Sequence, residues 1–139
     1  MNHAFENPPD DEIRRILATP RTVAVVGCSP DPARDSHRIA RLLADRGHRV
    51  IPVNPTCSEV LGRRCYPDLE SIPEPVDMVD VFRRSEHVSG VADEAIAVGA
   101  RVLWLQLGVI DHDAALRARA AGITVVMDRC PAIEYRRLF

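Results

Sequence analysis

Apolar positions along this chain switch repeatedly between two spacings. In "TVAVV", "RVIPV", "VDMVDVF", "RVLWL" and "ITVVM" they run almost unbroken and favour β-branched residues. Such runs predict strands buried on both faces. Between them the apolar positions recur every three or four residues, the spacing of a helix with one buried side. Ile13, Ile16 and Leu17 make the first stripe, after a cap at Asp10 or Asp11 and before the stop at Pro20. Ile39, Leu42 and Leu43 make the second, over 36–46, with Arg38, Arg41 and Asp45 facing away and Gly47 as terminal cap. Val88, Val91, Ala92 and Ala95 mark a third helix over 85–98, and "DHDAALRARAAG" a fourth, bounded by Asp111 and Gly122. The tail "CPAIEYRRLF" closes with one or two helical turns. "TCSEVLGRRCYPDLESIPEP" is rich in turn formers and reads as irregular, with one short strand at 64–66.

Strands that alternate with three-turn helices across short loops predict a doubly wound α/β domain. Its sheet is mostly parallel, with helices on both faces and right-handed crossovers. Residues 1–19 read as a tail and leading helix packed on that domain, and 20–139 as the ligand-binding domain itself. A chain of 139 residues suits this single unit.

Composition narrows the partners. The formal net charge is -2, which supplies no attraction to nucleic acid or to an anionic membrane. No apolar run approaches the ~20 residues that span a bilayer. "MNHAFENPPDD" lacks the basic-then-apolar pattern of a secretory signal. The expectation is a soluble, cytoplasmic protein. All 18 basic residues are arginine, so mechanisms that need a lysine nucleophile or a phosphate-loop lysine are excluded. Cys28, Cys57, Cys65 and Cys130 form no C-x-x-C pair, and reduced thiols are expected.

In sheets of this kind ligands lie beyond the carboxyl ends of the strands, where the strand order reverses. Segments 27–36, 54–57, 82–85, 106–111 and 128–131 should reach that edge. The first precedes a helix N-terminus, whose free N–H groups and dipole favour phosphate. Gly27 allows close backbone approach, Ser29 and Ser36 offer hydroxyls, and Arg34 and His37 offer positive charge or donors. The competing reading is an empty turn in which Ser36 caps its helix. A dinucleotide site of the G-x-G-x-x-G type is absent, because Ser29 stands two residues after Gly27. The second strand ends "VNP", without the acid that holds a ribose diol. These features favour a pyrophosphate-bearing nucleotide with a different ribose.

Candidate reactive groups are Cys28, Cys130, His37, His112, Asp111, Asp113 and Asp128. Cys28 adjoins the helix N-terminus, where a thiolate is favoured, and Cys130 follows the last strand at the same edge. The competing reading is that both thiols pack as small apolar groups. "DHD" at 111–113 resembles a metal site only superficially: Asp111 serves better as a helix cap and Asp113 as a first-turn acid. No metal site and no catalytic constellation is expected. Trp104 reads as core, His48 and His87 as surface residues, and His3 as part of a mobile tail.

Four stretches then carry a resemblance: "VAVVGCSPDPARDSHRIARLLADRGHRVIPVNP", "LGRRCYPDLESIPEPVDMVDVFRRSEHV", "VLWLQLGV" and "VVMDRCPAIE", in this order. They resemble the stand-alone CoA-binding proteins, which are similar to the N-terminal CoA-binding domain of the succinyl-CoA synthetase α subunit. The resemblance covers about residues 15–139. It implies a Rossmann-like domain with coenzyme A or a small acyl-CoA across the crevice. Gly27, Cys28, Ser29, Arg34, Ser36 and His37 would form the pyrophosphate loop. Val53, Asn54 and Pro55 would border the adenosine, and Phe82, Arg83, Ser85 and Val88 the opposite wall. Gln106 and Gly108 would lie towards the pantetheine arm. Arg83 and Arg84 are candidates for the 3′-phosphate, with solvent as the alternative for each. Cys28 or Cys130 could pair with the CoA thiol.

Succinyl-CoA synthetase needs a second domain with a phosphorylated histidine and a partner subunit. The resemblance therefore implies binding without catalysis of its own, as a sensor, carrier or regulatory module. Two alternatives stand beside it. One is an NAD(P)-binding redox protein, with Arg63 or Arg64 reaching a 2′-phosphate. The other is the CoA-binding subunit of an acyl-CoA ligase, completed by a partner chain. An exposed sheet edge and the 56–75 loop leave room for a homodimer.

Overall fold

The computed structural model describes residues 4–139, so His3 lies outside the described residues. Five parallel strands form the central sheet: β1 (Thr22–Val26), β2 (Arg49–Val53), β5 (Met78–Val81), β6 (Val102–Leu105) and β7 (Thr124–Val126). Their order is β2-β1-β5-β6-β7, so the chain reverses its direction of travel between β1 and β5. Five helices connect and flank them: α1 (Asp10–Ala18), α2 (Asp35–Asp45), α3 (Val88–Ala97), α4 (His112–Ala120) and α5 (Pro131–Leu138). This is the doubly wound α/β domain that the hydrophobic pattern predicts.

Strand alternation assigns each side chain to one of two cores. Ala24, Val26, Ile51, Val79, Val81, Leu103 and Leu105 face α3 and α4. Val23, Val25, Val50, Met78, Val102 and Trp104 face α1, α2 and α5. Both faces are covered, which is why the strands are apolar throughout. The stripes Ile13, Ile16 and Leu17 on α1 and Val88, Val91, Ala92 and Ala95 on α3 are all buried. Trp104 is core, as expected, and its indole N–H donates to the Arg129 carbonyl at 2.9 Å.

Three local expectations are corrected. A short 3-10 turn over Ser85–His87 precedes α3, so the third helix starts later than 85. The 56–75 segment is not wholly irregular. β3 (Glu59–Val60) and β4 (Arg63–Arg64) pair as an antiparallel hairpin, and Tyr66 then bridges to Val53. Tyr66 N–H donates to Pro52 and its carbonyl accepts from Asn54 N–H, so the hairpin is bound to the β2 edge. Finally, His48 is buried, not a surface residue. Its Nδ1 accepts from Arg21 N–H at 3.1 Å and its Nε2 meets the Tyr135 hydroxyl at 2.9 Å, which itself donates to the Leu17 carbonyl. His87 is exposed, as expected.

The other sheet edge is closed by the segment ahead of α1. Asn7 donates to the Met127 carbonyl at 2.9 Å and accepts from Met127 N–H at 2.7 Å. A side-chain amide thus takes the place of a further strand beside β7. Phe5 is buried against the core, and its N–H donates to His112 Nδ1 at 3.0 Å.

Candidate functional site

The carboxyl ends of β2, β1, β5 and β6 open into three adjoining cavities. The first, of about 260 Å³, lies between Gly27, Val53, Asn54 and Pro55 on one side and Asp68, Arg83 and Glu94 on the other. The second, of about 470 Å³, sits at the start of α2 against Gly27, Ser29, Arg34, Ser36 and Phe82. The third, of about 640 Å³, is mainly apolar and lies between α2 and α5, with Phe82, Gln106, Val109 and Cys130 in its wall. Gly27 borders the first two, Phe82 the last two, and Arg83 the first and third. The result is one crevice along the switch point, with a polar middle.

Gly27 makes that middle possible. Its φ is +85°, and a Cβ there would come within 2.7 Å of the Phe82 carbonyl oxygen. Both the backbone region and the close approach of β5 require glycine. Gly27 N–H and Cys28 N–H both point back to the Val53 carbonyl, which joins the β1 and β2 ends. Past the turn, Ser29 N–H donates to Ser36 Oγ at 2.9 Å, and Ser29 carbonyl meets His37 Nδ1 at 3.0 Å. Ser29 Oγ accepts from Asp31 N–H, and Asp31 accepts from Ala33 N–H. The loop is therefore held by its own side chains. α2 begins at Asp35, and among the described residues no side chain caps it, so its first-turn N–H groups are left open beside the polar cavity. Ser36 does not cap the helix; it braces Ser29.

Several residues expected to line the site have their side chains committed within the fold. Cys28 is fully buried, and burial pushes its thiol up to about 12, with Cys65, Cys57 and Asp80 adding to the effect. Of the two readings of Cys28, the thiol packed as a small apolar group is the one that fits: the helix terminus does not offset desolvation there. Asn54 is committed to the turn, donating to the Cys28 carbonyl at 3.0 Å and accepting from Thr56 N–H and hydroxyl. Ser85 Oγ ties two loops together, accepting from Ile110 N–H at 2.9 Å and donating to the Gly108 carbonyl at 3.2 Å. Gly108 N–H in turn donates to Asp128. Val88 is fully buried in the core and backs the wall without facing the crevice. Asp111 caps α4 through Ala114 N–H, as expected, and among the described residues no His, Cys, Asp or Glu cluster could hold a metal ion.

Other residues arrive at the crevice from places the linear pattern does not mark. Ile39 and Leu42 of α2 and Ala132 of α5 line the apolar cavity. Asp68 and Glu94 bring carboxylates to the small cavity, although β2 itself ends without one. Burial and then Asp68 and Glu70 raise the Glu94 carboxyl, with Arg83 acting against them. Beneath the apolar cavity, Gln106 donates to Asp80 Oδ1 at 2.8 Å. Asp80 is wholly buried, its Oδ2 has no partner among the described residues, and burial pushes its carboxyl up to about 7. An acid in mid-strand was the available signal for this pair: "VDMVDVF" interrupts an apolar run with Asp80.

A parallel doubly wound sheet with its crevice at the switch point, and a close glycine turn into a helix start, defines a Rossmann-like α/β domain. Within that class, residues 21–136 match the CoA binding domain family, and the chain belongs to it. The chain is 42% identical over 131 residues to the uncharacterized protein YneT of Bacillus subtilis, covering 94% of this chain and 97% of that one. A hypothetical protein from Pyrococcus horikoshii has the same structure with a TM-score of 0.91 at 36% identity, covering 99% and 97% of the two chains. An ADP-forming acetate–CoA ligase of Archaeoglobus fulgidus is 27% identical over 124 residues, which are 82% of this chain and 18% of the ligase. Stand-alone proteins thus match end to end, whereas the ligase contains the domain as a minor part. No helix of the described residues is long and apolar enough to cross a membrane.

Proposed function

We propose that this protein binds coenzyme A or a small acyl-CoA along the three-part crevice, as a sensor, carrier or regulatory module without catalysis of its own. The observation that carries this reading is the sequence of environments: a narrow cavity, a polar cavity at an uncapped helix start, and a larger apolar one. Adenosine, diphosphate and the pantetheine arm follow one another in the same order. The first-turn N–H groups of α2 receive the diphosphate, aided by Arg34. Arg83, which borders both outer cavities, is placed for the 3′-phosphate. Ser36 and His37 hold Ser29 in position, and Gln106 faces the arm. Cys130, in the apolar wall, is the thiol available to a CoA sulfur, while Cys28 is not.

A second reading has one specific support. Asp68 and Glu94 supply the acids that a free ribose diol would want, which favours NAD or dephospho-CoA over a 3′-phosphate. Thermal unfolding against CoA, dephospho-CoA, acetyl-CoA, NAD and NADP separates the two. A ligand at ~100 times its Kd adds about 2.7 kcal/mol, a shift of several degrees. CoA and acetyl-CoA above dephospho-CoA and NAD is the expected order. Stabilisation by NAD alone would replace the CoA reading, and stabilisation by none would favour a subunit that binds only with a ligase-type partner chain.

A further inference from the structure

Outside the crevice, the hairpin on the β2 edge holds two thiols in contact. Cys57 precedes β3 and Cys65 follows β4, and their sulfurs lie 3.7 Å apart. The strands between them pair Glu59 with Arg64 and Val60 with Arg63, and Cys65 N–H donates to the Ser58 carbonyl at 2.8 Å, so the hairpin keeps both thiols on one side. A disulfide needs about 2 Å between sulfurs, a small adjustment in a surface hairpin. The pair is also wired to the crevice. Cys65 Sγ donates to the Asn54 carbonyl at 3.5 Å, and the Asn54 side chain holds the Cys28 carbonyl just past Gly27.

We propose that Cys57 and Cys65 form a reversible dithiol–disulfide site whose oxidation alters ligand binding through Asn54. The oxidant is a low-molecular-weight disulfide. Cys57 is half-buried and Cys65 buried, so Cys57 is the group such a molecule reaches first. The Cys57 thiolate attacks one sulfur of the small disulfide, forming a mixed disulfide and releasing one small thiolate. Cys65 then gives up its proton to that thiolate and attacks the Cys57 sulfur. The intramolecular bond forms, the mixed bond breaks, and the second small thiolate leaves, taking up the proton that Cys57 released on ionising. Two cysteine thiols are oxidised and one small disulfide is reduced to two thiols. Burial raises the Cys65 thiol to about 12, with Cys57 adding to it, which makes Cys65 the slower, resolving partner. Once oxidised, Cys65 has no S–H to donate to Asn54, and the adenosine wall at Asn54–Pro55 is released from that contact. The binding consequence rests on the CoA reading; the disulfide does not.

The test treats the full chain with glutathione disulfide and reads intact mass and non-reduced peptide maps. Wild type and Cys130→Ser should each lose two hydrogens, recovered by reductant, with the bond mapped to Cys57–Cys65. Cys65→Ser should instead hold one glutathione on Cys57. A bond mapped to Cys28 or Cys130, or no bond while a model dithiol is oxidised alongside, would overturn the site. Binding of acetyl-CoA, which has no free thiol to reduce the site, should then differ by about fivefold or more between the reduced and oxidised forms. Equal affinities would overturn the coupling. Binding of CoA to neither form would defeat the CoA reading while leaving the disulfide to be judged by mass alone.

Discussion

The two ends of the parallel sheet use their polar groups very differently. At the amino ends of the strands nearly everything is paired. Arg21 is bound to Asp77 at 2.6 Å and to the Ile16 carbonyl at 3.0 Å. Arg21 N–H, His48, Tyr135 and the Leu17 carbonyl form one continuous relay. Because Nδ1 accepts from an N–H and Tyr135 donates onward, His48 is neutral with its proton on Nε2. At the carboxyl ends the groups are left open: an uncapped helix start, an unpartnered Asp80 oxygen, and three cavities. One end braces the fold, and the other leaves polar groups unmet within the described residues.

Breaking the open end at its tightest point has the largest expected effect. Gly27→Ala puts a Cβ against the Phe82 carbonyl in a left-handed backbone. It should cost about 3 kcal/mol in urea unfolding and abolish the CoA-induced shift in Tm. Asp80 comes next. Its folded carboxyl titrates near 7, well above the ordinary range, so it stabilises the fold at low pH and loses that stability as pH rises through about 7. Asp80→Asn should therefore raise stability at pH 8 by on the order of 2 kcal/mol and change it little at pH 4. Equal effects at both pH values would contradict the buried charge.

At the braced end, Tyr135→Phe leaves His48 Nε2 and the Leu17 carbonyl unpaired. A loss of about 1–3 kcal/mol follows, with the CoA response intact. Burial holds the His48 imidazole below its usual range, with Arg21 adding to it. Its contribution is complete above about pH 6.5 and drains as pH falls through the depressed folded value. The two ends thus slope in opposite directions with pH. Asp80→Asn should unmask the fall in unfolding midpoint on acidification, and His48→Gln should remove it. Arg83→Ala is the mildest for the fold: the unfolding midpoint stays within ~0.5 kcal/mol while CoA binding, followed by calorimetry, weakens about tenfold, or ~1.4 kcal/mol.

Much of this molecule is legible before it folds. Five apolar runs and four helical stripes determine the strands, the helices and the doubly wound class, because both signals are local and repeat within one element. Gly27 and the helix after it mark the polar cavity for the same reason, as does Asp111 for its cap. The quotable fragments around them likewise point to the family that residues 21–136 match. Tertiary structure alone decided which end of each residue faces what. His48 looks like a surface histidine beside Gly47, and only the arrival of Arg21 and Tyr135, 27 and 87 residues away, makes it a buried relay. Cys28 sits at a helix start in sequence but beneath the sheet end in space, where desolvation exceeds the pull of the dipole. Asp68 and Glu94 reach the end of β2 only because the hairpin segment and α3 meet there. Backbone periodicity is written residue by residue, whereas burial, charge state and the walls of a cavity belong to groups that share no stretch of chain.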